Sequence, residues 1–158
     1  MQPEIKSLSS KTLIGNRITM SLANNKTGEL WKSFMLRRNE IKNVIGSDLF
    51  SLQTYDANYF KAFNPNNEFE KWALLEVSDS NSIPEGMEIF NLPEGLYAVF
   101  HYKGLNTDSS IFNYIFSEWL PKSEYTLDNR PHFEILGPNY KNNDPDSEEE
   151  IWIPIKKK

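Results

Sequence analysis

The feature that most constrains the fold of this chain is an internal repeat with an offset of 81 residues. At that offset the first half aligns with the second, without a gap, through one helical segment and the strand after it. Equivalent positions are then Ile18 and Val99, Asn25 and Asn106, Leu30-Trp31 and Ile111-Phe112, Phe34-Met35 and Ile115-Phe116, Leu52 and Phe133, and Gln53 and Glu134. The last strand of each half needs an offset of 79, which places Trp72 on Ile151. Few identities survive, so the order and character of the segments carry the inference of a β-α-β-β unit used twice.

Hydrophobic periodicity predicts two helices, over residues 27–38 and 109–120, each with apolar residues on one face. Pro121 is expected to end the second helix. Runs rich in β-branched and aromatic residues predict the strands. These runs are 11–22, 49–55, 72–77, 87–92, 96–102, 132–136 and 149–155.

The predicted fold class is therefore α+β: duplicated β-α-β-β units with pseudo-twofold symmetry, forming an antiparallel sheet with two main helices. We expect a single domain over residues 1–158, with the first repeat at about 4–77 and the second at about 94–155. A pseudo-twofold arrangement leaves a cleft between the repeats, and small molecules commonly bind at such concave junctions.

Charge and composition exclude several classes of protein. The chain has 17 basic and 22 acidic residues, a net charge of −5, so direct binding to duplex DNA is not expected. It contains no cysteine, which excludes disulfides and thiolate chemistry. No apolar run is long enough to span a membrane, and no secretory signal precedes the first strand, so a cytoplasmic location and no membrane partner are expected.

No cofactor or metal site is predicted. The two histidines, His101 and His132, are too few for a histidine-rich metal centre, and His132 is interpreted as structural or exposed. The acidic loop from Asp144 to Glu148 lacks the glycine and the distal glutamate of a calcium loop. Nucleotide-binding glycine motifs are absent as well.

Glu134 is the charged residue that the pattern singles out. It lies between Phe133 and Ile135 in an apolar strand, so alternation could turn it towards water while its neighbours face the core. The alternative is that its carboxylate lies in an aromatic-walled cleft and selects a lipophilic cation by charge pairing and cation–π contact. In that position it could also transfer a proton, as the catalytic residue of a hydrolase.

Aromatic rings are abundant enough to form the wall of such a cleft. The ligand-binding rings predicted to accompany Glu134 are Tyr55, Trp72, Tyr97 and Trp119, with ordinary core packing as the alternative for each. Trp152 is a further ring of this kind.

The segment order resembles a known family. The resemblance rests on five segments and extends over roughly Glu4 to Ile155. These segments are LWKSFMLRRNEI, IPEGMEIFNLPEGLYAVFHYKG, SIFNYIFSEWLP, RPHFEILGPNY and SEEEIWIPI. The chain is similar to the gyrase-inhibitor-like family, equivalent to the effector-binding domain of AraC-type and multidrug-responsive transcription regulators. It looks most like the stand-alone, integron-cassette-associated branch.

The resemblance implies a stand-alone module that binds lipophilic, cationic small molecules, for sensing or sequestration, in a pocket between the repeats. The family's acidic pocket residue corresponds to Glu134, in Phe133-Glu134-Ile135. Two alternatives remain open: a hydrolase of strained cyclopropane-type xenobiotics that uses the same glutamate, and a protein-interaction module of the gyrase-inhibitor type.

The chain departs from regulators of this family in one respect. They carry a helix-turn-helix before the effector domain, whereas here the first strand is expected within about a dozen residues of Met1. No direct DNA binding is therefore expected, although the chain could act with a separate protein partner.

Overall fold

A computed structural model describes all 158 residues. Nine antiparallel strands form the framework, and eight of them lie in one sheet in the order β1-β6-β9-β8-β3-β4-β2-β5, with β7 paired to β9. The strands are β1 Glu4–Leu8, β2 Lys11–Ser21, β3 Leu49–Thr54, β4 Glu68–Val77, β5 Glu88–Leu92, β6 Gly95–Lys103, β7 Tyr125–Leu127, β8 His132–Leu136 and β9 Glu148–Lys157. The α+β class and the antiparallel sheet predicted from the sequence are confirmed.

Both predicted helices are present. Helix α1 spans Thr27–Arg37 and continues into a 3₁₀ turn, Arg38–Glu40. The second helix, α2, runs from α-helical Ser110–Tyr114 through π-helical Ile115–Trp119 to Leu120–Lys122. Pro121 lies in the last turn of α2, and the helix ends one residue later, at Lys122.

The pseudo-twofold axis passes through the centre of the sheet, between β3 and β8. Leu52 and Phe133, which are equivalent in the repeat, are also direct partners in the register of these two strands. Leu52 pairs with Trp72 on one side, and Phe133 pairs with Trp152 on the other. Trp72 is therefore equivalent to Trp152, at an offset of 80.

This register corrects two positions of the sequence alignment. The offset of 79 that placed Trp72 on Ile151 is wrong by one residue, and in β2 the equivalent of Val99 is Arg17, not Ile18. Side chains alternate between the faces of a strand, so an error of one residue reverses the face on which a side chain is expected.

The strand that precedes each repeat's long first strand pairs with the other half of the chain: β1 pairs with β6, and β5 pairs with β2. This arrangement requires the sheet to bend. Only Ser9 and Ser10 separate β1 from β2, although β1 is first and β2 seventh in the sheet. Three Cα steps span at most about 11 Å, whereas seven strands of a flat sheet would separate the first from the last by about 29 Å. The short link between β5 and β6 sets the same requirement. The sheet must therefore curl until its two edges approach each other.

The hydrophobic cores reflect this curled shape. The inner face holds one cluster to which both edges and the centre contribute: Leu8, Leu13, Phe50, Leu52, Trp72, Leu74, Leu92, Tyr97, Val99, Phe133 and Trp152. On the outer face, α1 covers a second cluster around Phe34, and α2 covers a third around Ile115. The cleft expected between the repeats corresponds to the part of this outer face that lies between α1 and α2, over β3 and β8.

Candidate functional site

The strand register decides which side chains face the cleft. Residues directly opposite each other in an antiparallel pair lie on the same face. One row crosses the outer face from Lys71 through Gln53 to His132. The next row runs from Ala73 through Ser51 and Glu134 to Ile151. Ala73 packs under α1 and Ile151 under α2, so Ser51, Gln53, His132 and Glu134 occupy the floor between the two helices.

A hydrogen bond joins the two repeats at this floor. The Gln53 side-chain amide donates to Glu134 Oε2 at 3.1 Å, across 81 residues of sequence. The partners are thus equivalent positions of the two repeats, brought together next to the pseudo-twofold axis. One position is neutral and the other acidic, which makes the floor asymmetric. Glu134 accepts no other side-chain hydrogen bond and forms no ion pair, so most of its acceptor capacity is open.

Two further charged groups lie close enough to Glu134 to interact with it. Lys71 is 8% exposed, and burial lowers the pKa of its ammonium while Glu134 and Glu149 oppose that effect. Glu149 of β9 is half-buried, and burial together with the charge of Glu134 raises its pKa to about 7, with Lys71 acting in the opposite direction. The floor therefore combines two carboxylates and one ammonium, and burial affects the Lys71 and Glu149 groups among them.

Aromatic rings form one wall of the cleft. Tyr55, just after β3, packs edge-on to His132 with ring centroids 5.0 Å apart. Phe60, from the loop between β3 and β4, stacks on His132 at 5.2 Å and on Phe116 of α2 at 5.4 Å. This stack joins a β3–β4 loop residue of one repeat to the helix of the other.

His132 is a buried neutral member of this wall. Burial, and to a smaller extent the positive charge of Arg130, lower its pKa to about 3. Tyr55 is likewise held neutral, because burial and the nearby charge of Glu134 raise the pKa of its phenol well above the ordinary value. The wall thus offers neutral π-faces beside the charged floor.

Of the four rings predicted to accompany Glu134, only Tyr55 packs on a residue of the floor, His132. Trp72 and Tyr97 belong to the cluster on the inner face of the sheet, behind Glu134. Trp119 belongs to α2 on the outer face of the sheet, and its ring packs on Phe100 and Tyr125 in the core of the second repeat. The placement of these three rings beside Glu134 is therefore corrected: strand parity separates the first two from the cleft, and the core of the second repeat holds the third. Trp152 also lies on the inner face.

Sequence reasoning missed the rings and charges that do meet in the cleft. Phe60 lies in a loop, where no periodicity indicates a face. Phe116 was assigned to the helical stripe, and the π-helical turn that contains it has no clear sequence signal. The position of Lys71 could have been noticed in the sequence, because it is a single cationic residue directly before the apolar run of β4. Glu149 was hidden among three consecutive glutamates.

A surface depression lies elsewhere on the protein. It has a volume of about 510 Å³ and is lined by Gln2, Ile5, Tyr114, Trp119 and other residues near the N-terminus and the end of α2. It contains none of the charges described above. No group of three or more histidine, aspartate or glutamate side chains is arranged to hold a metal ion. No helix is both long and apolar enough to cross a membrane.

Comparisons with known proteins agree with this architecture. The transcriptional regulator BrlR of Pseudomonas aeruginosa is 29% identical over 146 residues, covering 91% of this chain and 52% of BrlR, so the chain spans about half the length of that regulator. The structure of SAV2435 bound to tetraphenylphosphonium superimposes with a TM-score of 0.73 at 16% identity, covering 99% of this chain and 94% of SAV2435.

A second solved structure is the integron cassette protein VCH_CASS2 from the mobile metagenome of Vibrio cholerae. It superimposes with a TM-score of 0.70 at 17% identity and covers 98% of this chain and 96% of its own. The family defined as Cass2, integron-associated effector binding protein, matches residues 4–155. With that match over nearly its whole length, the chain belongs to the Cass2 family of integron-associated effector-binding proteins.

Proposed function

We propose that this protein binds a lipophilic cation in the cleft between its repeats, for sensing or sequestration, with Glu134 as the charge partner of the ligand. One observation supports the proposal: Glu134 lies on the outer face of the sheet beside the pseudo-twofold axis, with a single side-chain hydrogen bond, from Gln53, and no ion pair. A carboxylate that is partly withdrawn from water is stabilised when an opposite charge pairs with it. A cation supplies that partner.

The aromatic wall supports a ligand with flat apolar groups. Phe60 stacks between Phe116 and His132, with interplanar angles of 26° and 12°. Phe60 is 41% exposed and belongs to a loop, so its movement costs less than the movement of a core side chain. A ring of the ligand takes the place of Phe60 in this stack, while the cationic centre of the ligand lies over Glu134 and Tyr55.

Relatives support the same class of ligand. SAV2435, a structural neighbour, is bound to tetraphenylphosphonium, a lipophilic cation. BrlR is a transcriptional regulator, and this chain matches about half of its length. We therefore infer that the chain corresponds to the ligand-sensing part of such regulators.

The proposal predicts that Glu134→Gln selectively weakens the binding of cations. The change keeps the shape of the side chain and removes its charge. Affinity for tetraphenylphosphonium should fall by on the order of 1–3 kcal/mol, the range for hydrogen bonds and pairs that involve a charged group. Affinity for neutral triphenylphosphine oxide should change little. Isothermal titration of both probes against both proteins measures the difference.

The matched control is Glu148→Gln, at the exposed start of β9, which should leave the affinity for both probes unchanged. Thermal unfolding should show Glu134→Gln to be as stable as the wild type or more stable, because an unpaired charge has been removed. An equal loss of affinity for both probes, or no loss for either, contradicts the role of Glu134.

One observation favours hydrolysis as a second candidate function. Glu149, whose pKa is raised to about 7, shares the cleft floor with Glu134, and a carboxylate with such a pKa is suited to general acid–base work near neutral pH. Turnover of a bound cyclopropane-containing compound that is abolished by Glu134→Gln would establish this activity. Binding without turnover would leave the protein a binding module.

A further inference from the structure

We propose that the cleft floor recognises the N–H groups of a protonated lipophilic amine, and that Ser51 makes the cleft prefer such an amine to a quaternary cation. This preference rests on the function proposed above and specifies its class of ligand. A quaternary cation still binds, but it is not the preferred ligand.

Four polar side chains meet on the cleft floor beside the pseudo-twofold axis. In the register of β3 with β8, Ser51 lies directly opposite Glu134, and Gln53 lies directly opposite His132. Ser51 is also equivalent to His132 in the repeat, as Gln53 is to Glu134, so each repeat contributes the same two positions. Side chains directly opposite each other in an antiparallel pair have Cβ atoms about 4.5–5.5 Å apart. A small ligand group can therefore contact several members of this polar quartet at once.

Most of the hydrogen-bonding capacity of the polar quartet is not used within the protein. Its three uncharged members are each more than nine-tenths buried. The quartet makes a single side-chain hydrogen bond, from the Gln53 amide to Glu134 at 3.1 Å. The two other buried serines differ, because the hydroxyls of Ser21 and Ser147 accept backbone N–H groups at 3.0 and 2.8 Å. No polar atom of the quartet is both sealed from solvent and without a partner, so a ligand on the floor can reach the open groups.

The open groups of the polar quartet are chiefly acceptors. An ionised carboxylate only accepts hydrogen bonds, so the nitrogen of the Gln53 amide faces Glu134 and the carbonyl oxygen of that amide is left free. The second carboxylate oxygen of Glu134 is free as well. Ser51 contributes the lone pairs of its hydroxyl, and neutral His132 contributes one ring nitrogen that can accept. The floor therefore complements a group that carries both a positive charge and N–H donors.

The water on these acceptors distinguishes two kinds of cation of equal charge. A quaternary centre is surrounded by carbon, so it displaces water from Ser51 and Gln53 when it covers the floor, and it supplies no donor in return. An acceptor that loses its water and gains no partner weakens binding. A protonated primary amine brings the same charge to Glu134 and donates N–H groups to the carboxylate and to a neighbouring oxygen, in charge-assisted hydrogen bonds.

Two matched cations test this preference by isothermal titration. The first is 3,3-diphenylpropylamine, which is protonated at pH 7, and the second is its N,N,N-trimethyl derivative, which has the same rings, chain and charge. The wild type should bind the primary amine roughly ten-fold more tightly, the factor that corresponds to one hydrogen bond with a charged group. Because both probes carry a single charge, the charged groups of the floor affect both alike and cancel from this ratio.

Ser51→Ala removes one acceptor of the polar quartet with little change in volume. It should reduce the ratio to about three, by weakening binding of the primary amine and leaving that of the trimethyl probe unchanged. The control variant is Ser33→Ala, at an exposed position of α1, which should keep the ratio of the wild type.

A wild-type ratio of one or below overturns the preference without any variant. An unchanged ratio in folded Ser51→Ala overturns the role of Ser51, and in both cases binding of the trimethyl probe leaves the proposed function intact. If neither probe binds to the wild type, the proposed function fails and the preference fails with it.

Discussion

His132 and Glu149 face the same cleft, yet they give the stability of the protein opposite dependences on pH. The pKa of His132 is lowered to about 3 in the folded protein, from an ordinary value of 6.5. The folded state therefore binds fewer protons than the unfolded chain. The contribution of His132 to the free energy of unfolding is therefore greatest above pH 6.5, and it decreases as the pH falls towards 3.

Glu149 behaves in the opposite sense. Its pKa is raised from 4.5 to about 7, so the folded state binds more protons than the unfolded chain between these values. Its contribution to stability therefore declines as the pH rises from 4.5 to 7. Between pH 7 and pH 5 the two residues oppose each other, and the wild type should show only a shallow dependence on pH from this pair.

Single substitutions should separate the two contributions. In Glu149→Gln only the shift of His132 remains. The unfolding free energy of this variant should therefore fall by about 2 kcal/mol when the pH is lowered from 7 to 5. His132→Phe keeps a ring against Phe60 and should gain stability over the same interval, by a similar or smaller amount because Glu149 is only partly buried. Urea denaturation at pH 5, 6 and 7 measures both effects. Identical pH profiles for the three proteins would show that neither group titrates as described.

At the scale of the element, alternation along a strand explains what could be predicted and what could not. The sequence placed Glu134 on the opposite face from Phe133 and Ile135, and the structure has this alternation. It could not show which face the helices cover, because that depends on pairing between distant strands. The same limit applies to Trp72, since only the register of β4 with β3 shows that its ring lies on the inner face.

Two strands were not predicted at all. β1 is short and mostly exposed, and its only sheet partner is β6. β7 has three residues and pairs with the end of β9. Local propensity is weak in both segments, so pairing with a distant strand decides their conformation. The two helices, by contrast, have a local apolar periodicity and were placed within a few residues of their ends.

A close approach between β2 and β4 gives a prediction at the same scale. A Cβ at Gly15 would lie 1.8 Å from the Ala73 carbonyl oxygen, which belongs to the backbone and cannot rotate away. Gly15→Ala should therefore destabilise the protein by roughly 1–3 kcal/mol, the usual cost of overpacking.

Gly28→Ala in α1 is the matched control, because a Cβ there meets no atom within 4 Å. It should raise the unfolding free energy by up to about 1 kcal/mol, since alanine favours a helix more than glycine does. Midpoints of urea denaturation compare the two variants. Equal effects would mean that β2 can shift to admit a side chain at Gly15.

For the whole molecule, the inner cluster ties the two repeats into one unit. Leu52 and Phe133 lie at its centre, and residues from both halves surround them. We therefore predict that the chain unfolds as a single domain, with the repeats at about 4–77 and 94–155 losing structure together. Native-state hydrogen exchange should give β3 and β8 the same opening free energy.

Leu52→Ala should lower the opening free energy of both repeats equally, by about 2–5 kcal/mol, the usual cost of removing a buried leucine side chain. A loss confined to the first repeat would show that the two halves open independently.

The pairing of β1 with β6 also determines when β1 can find its partner during synthesis on the ribosome. Glu4 pairs with Val99, so the partner of β1 is added some 95 residues after β1 itself. At about 5–20 residues per second, the unpaired edge of β1 waits for about 5 to 20 seconds before the sheet can close around it. During that interval the nascent chain exposes an unpaired strand edge, to which a chaperone or a neighbouring nascent chain would bind.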